Sequence, residues 1–161
     1  MFESKKKRLF PAIITIILLF LLDRGTKVAA QSRLLPGKDV WLIKGVLSLH
    51  YLENTGAAFS ILTGKIWFFL LITIVISAAI IVIMHRIRPE RRFAVLYMDL
   101  AVLLAGALGN LYDRLFQGYV IDFIYFALID FPVFNVADIY VTCSVILLLI
   151  LILFVYKNED F

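Results

Sequence analysis

Hydrophobic residues in this chain fall into four long blocks, roughly residues 10–30, 66–84, 93–112 and 138–156. Each is about 20 residues long, and at about 1.5 Å per residue a helix of that length matches the hydrocarbon core of a bilayer. The pattern predicts four transmembrane helices. One stretch between them has a different period. In Val46-Leu47-Ser48-Leu49-His50-Tyr51-Leu52 the residues Leu47, Leu49 and Tyr51 share one face, which predicts a short β-strand. The following Glu53-Asn54-Thr55-Gly56 reads as a turn. A small sheet lying on the membrane surface is therefore expected. No internal repeat or low-complexity tract interrupts the pattern, so residues 1–161 read as one integral-membrane domain.

Composition agrees. The chain is 63% hydrophobic and 17% charged, whereas soluble domains carry about 25% charged residues. A soluble globular class is excluded, and 161 residues leave room for two real loops but not for a second folded domain.

The basic residues orient the spans. Lys5, Lys6, Lys7 and Arg8 precede the first block, and Arg86, Arg88, Arg91 and Arg92 fill the short link between the second and third, where Pro89 breaks helix. The positive-inside rule places both clusters, and both termini, in the cytoplasm. The longer loops, about 31–65 and 113–137, then lie outside. The net charge of +4 is accounted for by this topology without a specific anionic partner. The first block also has the outline of a cleavable signal peptide. It is read as a retained span, because Asp23-Arg24-Gly25-Thr26-Lys27 is too charged for an ordinary cleavage region.

Reactive side chains are scarce. Cys143 is the single cysteine, so no intrachain disulfide can form, and the two histidines, His50 and His85, are far apart. A zinc site or a triad built on histidine has little to draw on. No phosphate-binding glycine loop and no basic helix interleaved with aromatics appears, so nucleotides and nucleic acids are not expected partners. What remains is carboxylates, amides and water.

The acids are placed rather than scattered. Of twelve, five lie in or beside the spans: Asp23, Asp99, Asp113, Asp122 and Asp138. An ionisable group in hydrocarbon marks a functional site or a pairing. Asp23 lies about 20 Å along the first helix and Asn110 about 26 Å along the third. With Asp113, Asp122 and Asp138 they converge on the outer face. Asp99, near the opposite end of span three, stands apart and is expected to pair with the basic link. Two carboxylates brought together cannot both ionise easily, so one keeps a proton and the pair supplies an acid and a base at one pH. Such a pair can activate water against an amide and protonate the leaving nitrogen.

Each feature also has a plainer reading. Asp23 and Lys27 could be an i,i+4 ion pair. Asn135-x-x-Asp138 could be only a helix cap. Asn110 and Arg114 could tie down loops. Ala101, Ala105 and Gly109 suit close helix packing. Cys143 reads as a small buried apolar residue.

Together the motifs are far less ambiguous. Asp23-Arg24-Gly25-Thr26-Lys27, Asn54-Thr55-Gly56-Ala57-Ala58-Phe59 and the run from Ala105 to Arg114 ending Gly109-Asn110-Leu111-Tyr112-Asp113-Arg114 come first. Gly118-Tyr119-Val120-Ile121-Asp122-Phe123-Ile124 and Phe134-Asn135-Val136-Ala137-Asp138 follow. In this order they resemble the prolipoprotein signal peptidases (signal peptidase II), bacterial membrane aspartic peptidases. The resemblance spans essentially the whole chain and implies an all-α polytopic fold of four transmembrane helices with a small extracytoplasmic β-cradle. It implies catalysis by Asp122 and Asp138, supported by Asp23, Lys27, Asn54, Gly56, Asn110, Asp113, Arg114 and Asn135, with no metal and no cofactor. The implied substrate is a prolipoprotein cut just before its diacylglyceryl cysteine in the bacterial inner membrane. Membrane lipids, a monomeric state and globomycin-type inhibitors are implied with it. The family often has a small residue such as Gly where this chain has Cys143.

Two other classes compete. A small proton-coupled transporter would suit four spans with carboxylates, but transport sites usually sit near the midplane in broken helices. A noncatalytic assembly subunit would not need the acids to converge. Cleavage of a lipidated precursor by the purified protein separates an enzyme from both. EDTA is expected to leave that cleavage unchanged; inactivation reversed by added zinc would contradict a metal-free site.

Overall fold

The computed structural model describes residues 5–34, 38–56 and 64–157. Helix α1 spans Lys5–Arg33, α2 Ile66–Arg86, α3 Ala94–Phe116 and α4 Val136–Ile150, the last continued by a π-helical turn, Leu151–Val155. All four spans are long and apolar enough to cross a bilayer. The chain is thus a multi-pass membrane protein of four helices with a small sheet, as the hydrophobic blocks predict.

Helix α3 is the centre. Its most apolar stretch is 56% buried, against 11%, 17% and 11% for the other three spans, so α1, α2 and α4 surround it and turn their outer faces to lipid. Phe93, Leu96, Tyr97, Leu100, Ala101 and Leu104 pack with Ile80 and Met84 of α2 and with Leu151 and Tyr156. In a membrane this packing cannot rest on expulsion of water, so close backbone approach matters more. Gly106 supplies it. A Cβ there would lie 2.7 Å from the Ala137 carbonyl oxygen and 2.9 Å from a Val141 methyl. The small residues expected to pack are fully buried at Ala101 and Ala105. Gly109 makes room for a side chain instead, since a Cβ there would lie 2.5 Å from Asp23 Oδ2.

The sheet sits at the end of the bundle where α3 finishes and α4 begins. Strands β1 (Val40–Ile43), β2 (Leu47–Asn54) and β3 (Val120–Phe126) pair antiparallel in that order. The alternation in residues 46–52 marks β2. The strand runs on through Asn54, however, so the turn expected at 53–56 starts only at Thr55. Strand pairing is the reason: Asn54 opposes Val120 and Leu52 opposes Asp122. Strands β1 and β3 were not legible. Val40–Ile43 is exposed at every position and shows no alternation, and β3 is interrupted by its aspartate.

Period two in β3 sorts its side chains. Ile121 and Phe123 pack with Ala30 and Leu34 at the end of α1, which sends Asp122 to the other face. Helix α4 begins at Val136, two residues before the expected start at 138, because Asn135 caps it and the capping box is complete. Gly106→Val is expected to lower stability by about 1–3 kcal/mol through overpacking against α4. Thermal unfolding in detergent would register the loss.

Candidate active site

A buried cation organises the polar residues. Lys27 is fully buried, and its ammonium lies 2.9 Å from Asp23 Oδ2, 2.9 Å from Asp113 Oδ2 and 2.9 Å from Asn110 Oδ1. Two ion pairs and one hydrogen bond thus surround the ammonium. The i,i+4 pairing of Asp23 with Lys27 is therefore real, and it is one edge of a larger cluster. Asp23 Oδ1 accepts the Ala137 N–H at 3.0 Å, fastening α1 to the first turn of α4. Asp113 Oδ1 accepts from Arg24 and from Gln117 at 2.9 Å, and its Oδ2 takes the Ile121 N–H at 3.4 Å, fastening α3 to β3.

The same ammonium sets the orientation of an amide. Lys27 can only donate, so Asn110 must turn Oδ1 toward it and Nδ2 away. That Nδ2 donates to Asp138 Oδ1 at 2.7 Å. Asn135 is oriented by the same logic. Its Oδ1 accepts the Asp138 N–H at 3.0 Å, leaving Nδ2 to donate to Asp122 Oδ1 at 2.6 Å and to Asn110 Oδ1 at 3.2 Å. At Asn54, Oδ1 accepts the Gly56 N–H at 2.9 Å while Nδ2 donates to Asp122 Oδ2 at 2.8 Å. The Asn135 N–H donates to Asp138 Oδ2 at 3.0 Å. Every oxygen of Asp122 and Asp138 thus accepts one fixed donor and keeps a lone pair for something else.

Both aspartates line one cavity of about 430 Å³. Asn54, Asn110 and Arg114 share its polar wall; Phe131, Pro132, Phe134 and Ile139 form the apolar one. Asp122 is 2% exposed. Burial, followed by the negative charge of Asp138, pushes its carboxyl up to about 7, against the pull of Asn54, Asn135 and Lys27. Asp138 is only partly buried and occupies the first turn of α4, where the helix dipole favours an anion. Asp122 is thus held in a drier setting than its neighbour Asp138 on the same cavity wall. That pair can hold and polarise a water. Arg114 donates to the Gly56 carbonyl at 3.3 Å and lies over the Phe69 ring, anchoring the end of β2 to α3 and α2.

All ten residues singled out from the sequence meet in this network: Asp23, Lys27, Asn54, Gly56, Asn110, Asp113, Arg114, Asp122, Asn135 and Asp138. Residues 57–59 of the second motif lie outside the described residues. Two expectations are corrected. Asp99 does not turn to the basic link; it is buried between α3 and α4 against Ser144. Cys143 is exposed rather than buried, because it lies on the face of α4 that lines the cavity. Arg24 was overlooked. It pairs with Asp113 and stacks over Tyr112, and only its place between two motif residues hinted at this. Among the described residues no group of three His, Cys, Asp or Glu side chains is placed to hold a metal ion.

Comparisons with known proteins converge. The family profile described as Signal peptidase (SPase) II matches residues 15–154. A lipoprotein signal peptidase of Streptococcus pyogenes serotype M1 is 42% identical over 158 residues, covering 97% of this chain and 98% of that one. A lipoprotein signal peptidase of Clostridium novyi (strain NT) is 41% identical over 144 residues, covering 88% and 96%. A solved structure described as a bacterial membrane enzyme superposes with a TM-score of 0.81 at 32% identity, covering 92% of this chain and 90% of its own.

Replacing Lys27 with Met would leave the buried Asp23 carboxylate without its cation, while Asp113 would keep Arg24. A loss of about 3–5 kcal/mol is expected, as for other broken buried pairs, and adding Asp23→Asn should restore part of it. Thermal unfolding of the single and double variants would reveal the coupling. Additive losses would mean that Lys27 does not bind the cluster together.

Proposed function

The chain belongs to the signal peptidase II family, and from that premise we propose that Asp122 and Asp138 are its catalytic pair. The protein is an aspartic peptidase of the membrane that removes the signal peptide from prolipoproteins. The observation that carries the assignment is the shared donor frame. Asn135 ties Asp122 to the first turn of α4, and Asn110 ties Asp138 to α3 and Lys27, all at the wall of one cavity.

In the resting site the pair shares one proton, which burial favours on Asp122, the drier member. A water lies between them. As it attacks the scissile carbonyl, Asp138 takes its proton and Asp122 donates a hydrogen bond to the developing oxyanion. On collapse the C–N bond breaks, Asp138 gives the proton it took from water to the leaving amine, and the pair is left with its single shared proton. Asn54 and Arg114 orient the substrate backbone. Asp23, Lys27, Asn110, Asp113 and Asn135 hold the pair in place, and Gly56 closes the Asn54 and Arg114 bonds through its backbone.

The scissile bond precedes a cysteine carrying diacylglycerol, and the apolar wall of the cavity suits that lipid. The dyad lies at the extracytoplasmic face of the inner membrane, with both termini in the cytoplasm, because the basic clusters occupy the opposite end of the bundle. The protein acts as a monomer with no metal or cofactor, and globomycin-type inhibitors bind at the dyad.

Asp122→Asn and Asp138→Asn are each expected to abolish cleavage of a lipidated precursor, with the variant still inserted in the membrane. Substantial turnover by either would remove that residue from the pair. The pH profile of kcat/KM should fall on its alkaline side with an apparent pKa near 7, when the shared proton is lost. Stability should move the same way. The folded chain keeps a proton on Asp122 that the unfolded chain releases above about 4, so this group destabilises the fold increasingly between about 4 and 7. An activity that rises steadily beyond pH 8 would contradict the assignment.

A further inference from the structure

Cys143 lines two spaces at once. One is the cavity that holds Asp122 and Asp138. The other is a groove of about 510 Å³ that continues along α3 and α4 toward the basic end of the bundle. Val95, Met98 and Val102 of α3 and Leu147 of α4 form its apolar walls. Val95 and Leu147 are exposed at the rim, where the groove opens to lipid. Its floor is polar. Asp99 is 5% exposed beside Ser144, and among the described residues its Oδ2 has no hydrogen-bond partner. A carboxyl held in hydrocarbon without a partner is costly, so the fold keeps an acceptor open for something that enters the groove.

We propose that this groove seats the apolar helix of the precursor's signal peptide, with the last cation of its n-region on Asp99. The inference rests on the peptidase reading and adds the place of the substrate's membrane segment. Continuity is the first ground. The bond to be cut lies at Asp122 and Asp138, and the groove opens into that cavity past Cys143. Length is the second. Asp99 precedes Asn110, which reaches Asp138, by eleven residues of α3, about 16 Å along the axis. A signal peptide carries an apolar core of about 7–15 residues behind a basic n-region, or about 10–22 Å as a helix. With its cleavage end at the dyad, its cation arrives at the depth of Asp99. Charge is the third. A lysine can lay its methylenes along the apolar wall and bring its ammonium to the carboxyl, whereas the acyl chain of a bulk lipid offers no donor.

The test uses the full chain in detergent with a diacylglyceryl precursor whose signal peptide carries one added cysteine. The lipidated cysteine is a thioether and has no free thiol. Asp122→Asn keeps the precursor uncut, and Cys143→Ala removes the native thiol. In that background Leu147→Cys should form a disulfide under copper–phenanthroline with precursor cysteines about 7–11 residues before the scissile bond, the helical distance from Asp138 to Leu147. Val95→Cys, on the facing wall, should select positions further from the bond. Ile17→Cys, exposed on α1, should form none. Equal yields at Leu147 and Ile17 would overturn the proposal and leave bulk lipid as the occupant. A disulfide between two copies of Leu147→Cys without precursor would overturn it in favour of a second chain. In the otherwise unsubstituted enzyme, Asp99→Asn should raise KM about tenfold for a precursor with n-region lysines, the scale of one close charge pair, with kcat unchanged. With glutamines in place of those lysines the two enzymes should agree. Equal losses on both precursors would assign Asp99 to the fold alone and overturn its pairing. A chain that cleaves no lipidated precursor would remove the peptidase reading itself; normal cleavage without the cross-linking pattern removes only this inference.

Discussion

One buried ammonium holds the functional end of this protein together. Lys27 is fully buried, so its charge must be met within the fold, and it is met by one acceptor on α1 and two on α3. Those acceptors reach further. Asp23 grips the first turn of α4, and Asp113 grips the backbone of β3. A single desolvated charge therefore registers three helices and a strand against one another. Helix packing between apolar faces would tolerate rotation and sliding far more readily, because lipid competes for the same contacts.

The second consequence of the buried cation is chemical. It fixes the sense of the Asn110 amide, and backbone N–H groups fix those of Asn54 and Asn135. Amides can rotate by half a turn at small steric cost, and a flipped amide would present an oxygen to a carboxylate. Locking each by a partner that can only donate turns three ambiguous groups into three obligate donors. The two aspartates are thereby held in unlike settings. Asp122 is dry, which raises its carboxyl; Asp138 is wetter and lies at a helix N-terminus. In the proposed mechanism this asymmetry lets one serve as acid and the other as base.

Much of this was legible in the chain. The four apolar blocks announced the spans, and the placing of scarce carboxylates announced a polar cluster at one end of the bundle. The plain and functional readings of a single motif need not compete. Asn135 is a helix cap through Oδ1 and a donor to Asp122 through Nδ2, so choosing between the readings was unnecessary. Asp99 and Cys143 were misjudged for a common reason. Depth along a helix follows from counting residues, but the direction a side chain takes around the helix depends on where the neighbours stand. Strand β1, exposed throughout, left no pattern to read.

Sequence alone determined the class, the number of spans, the level at which each charged residue lies and the set of residues held in common with the signal peptidase II family. Those properties depend on composition and on spacing along one chain. Tertiary structure decided which oxygen faces which donor, that β3 turns Ile121 and Phe123 to α1 and Asp122 to the cavity, and that Cys143 borders it. The physical reason is that hydrogen-bond polarity and burial belong to pairs of groups distant in the chain. Asp23 and Ala137 stand 114 residues apart, and no local pattern records that they meet.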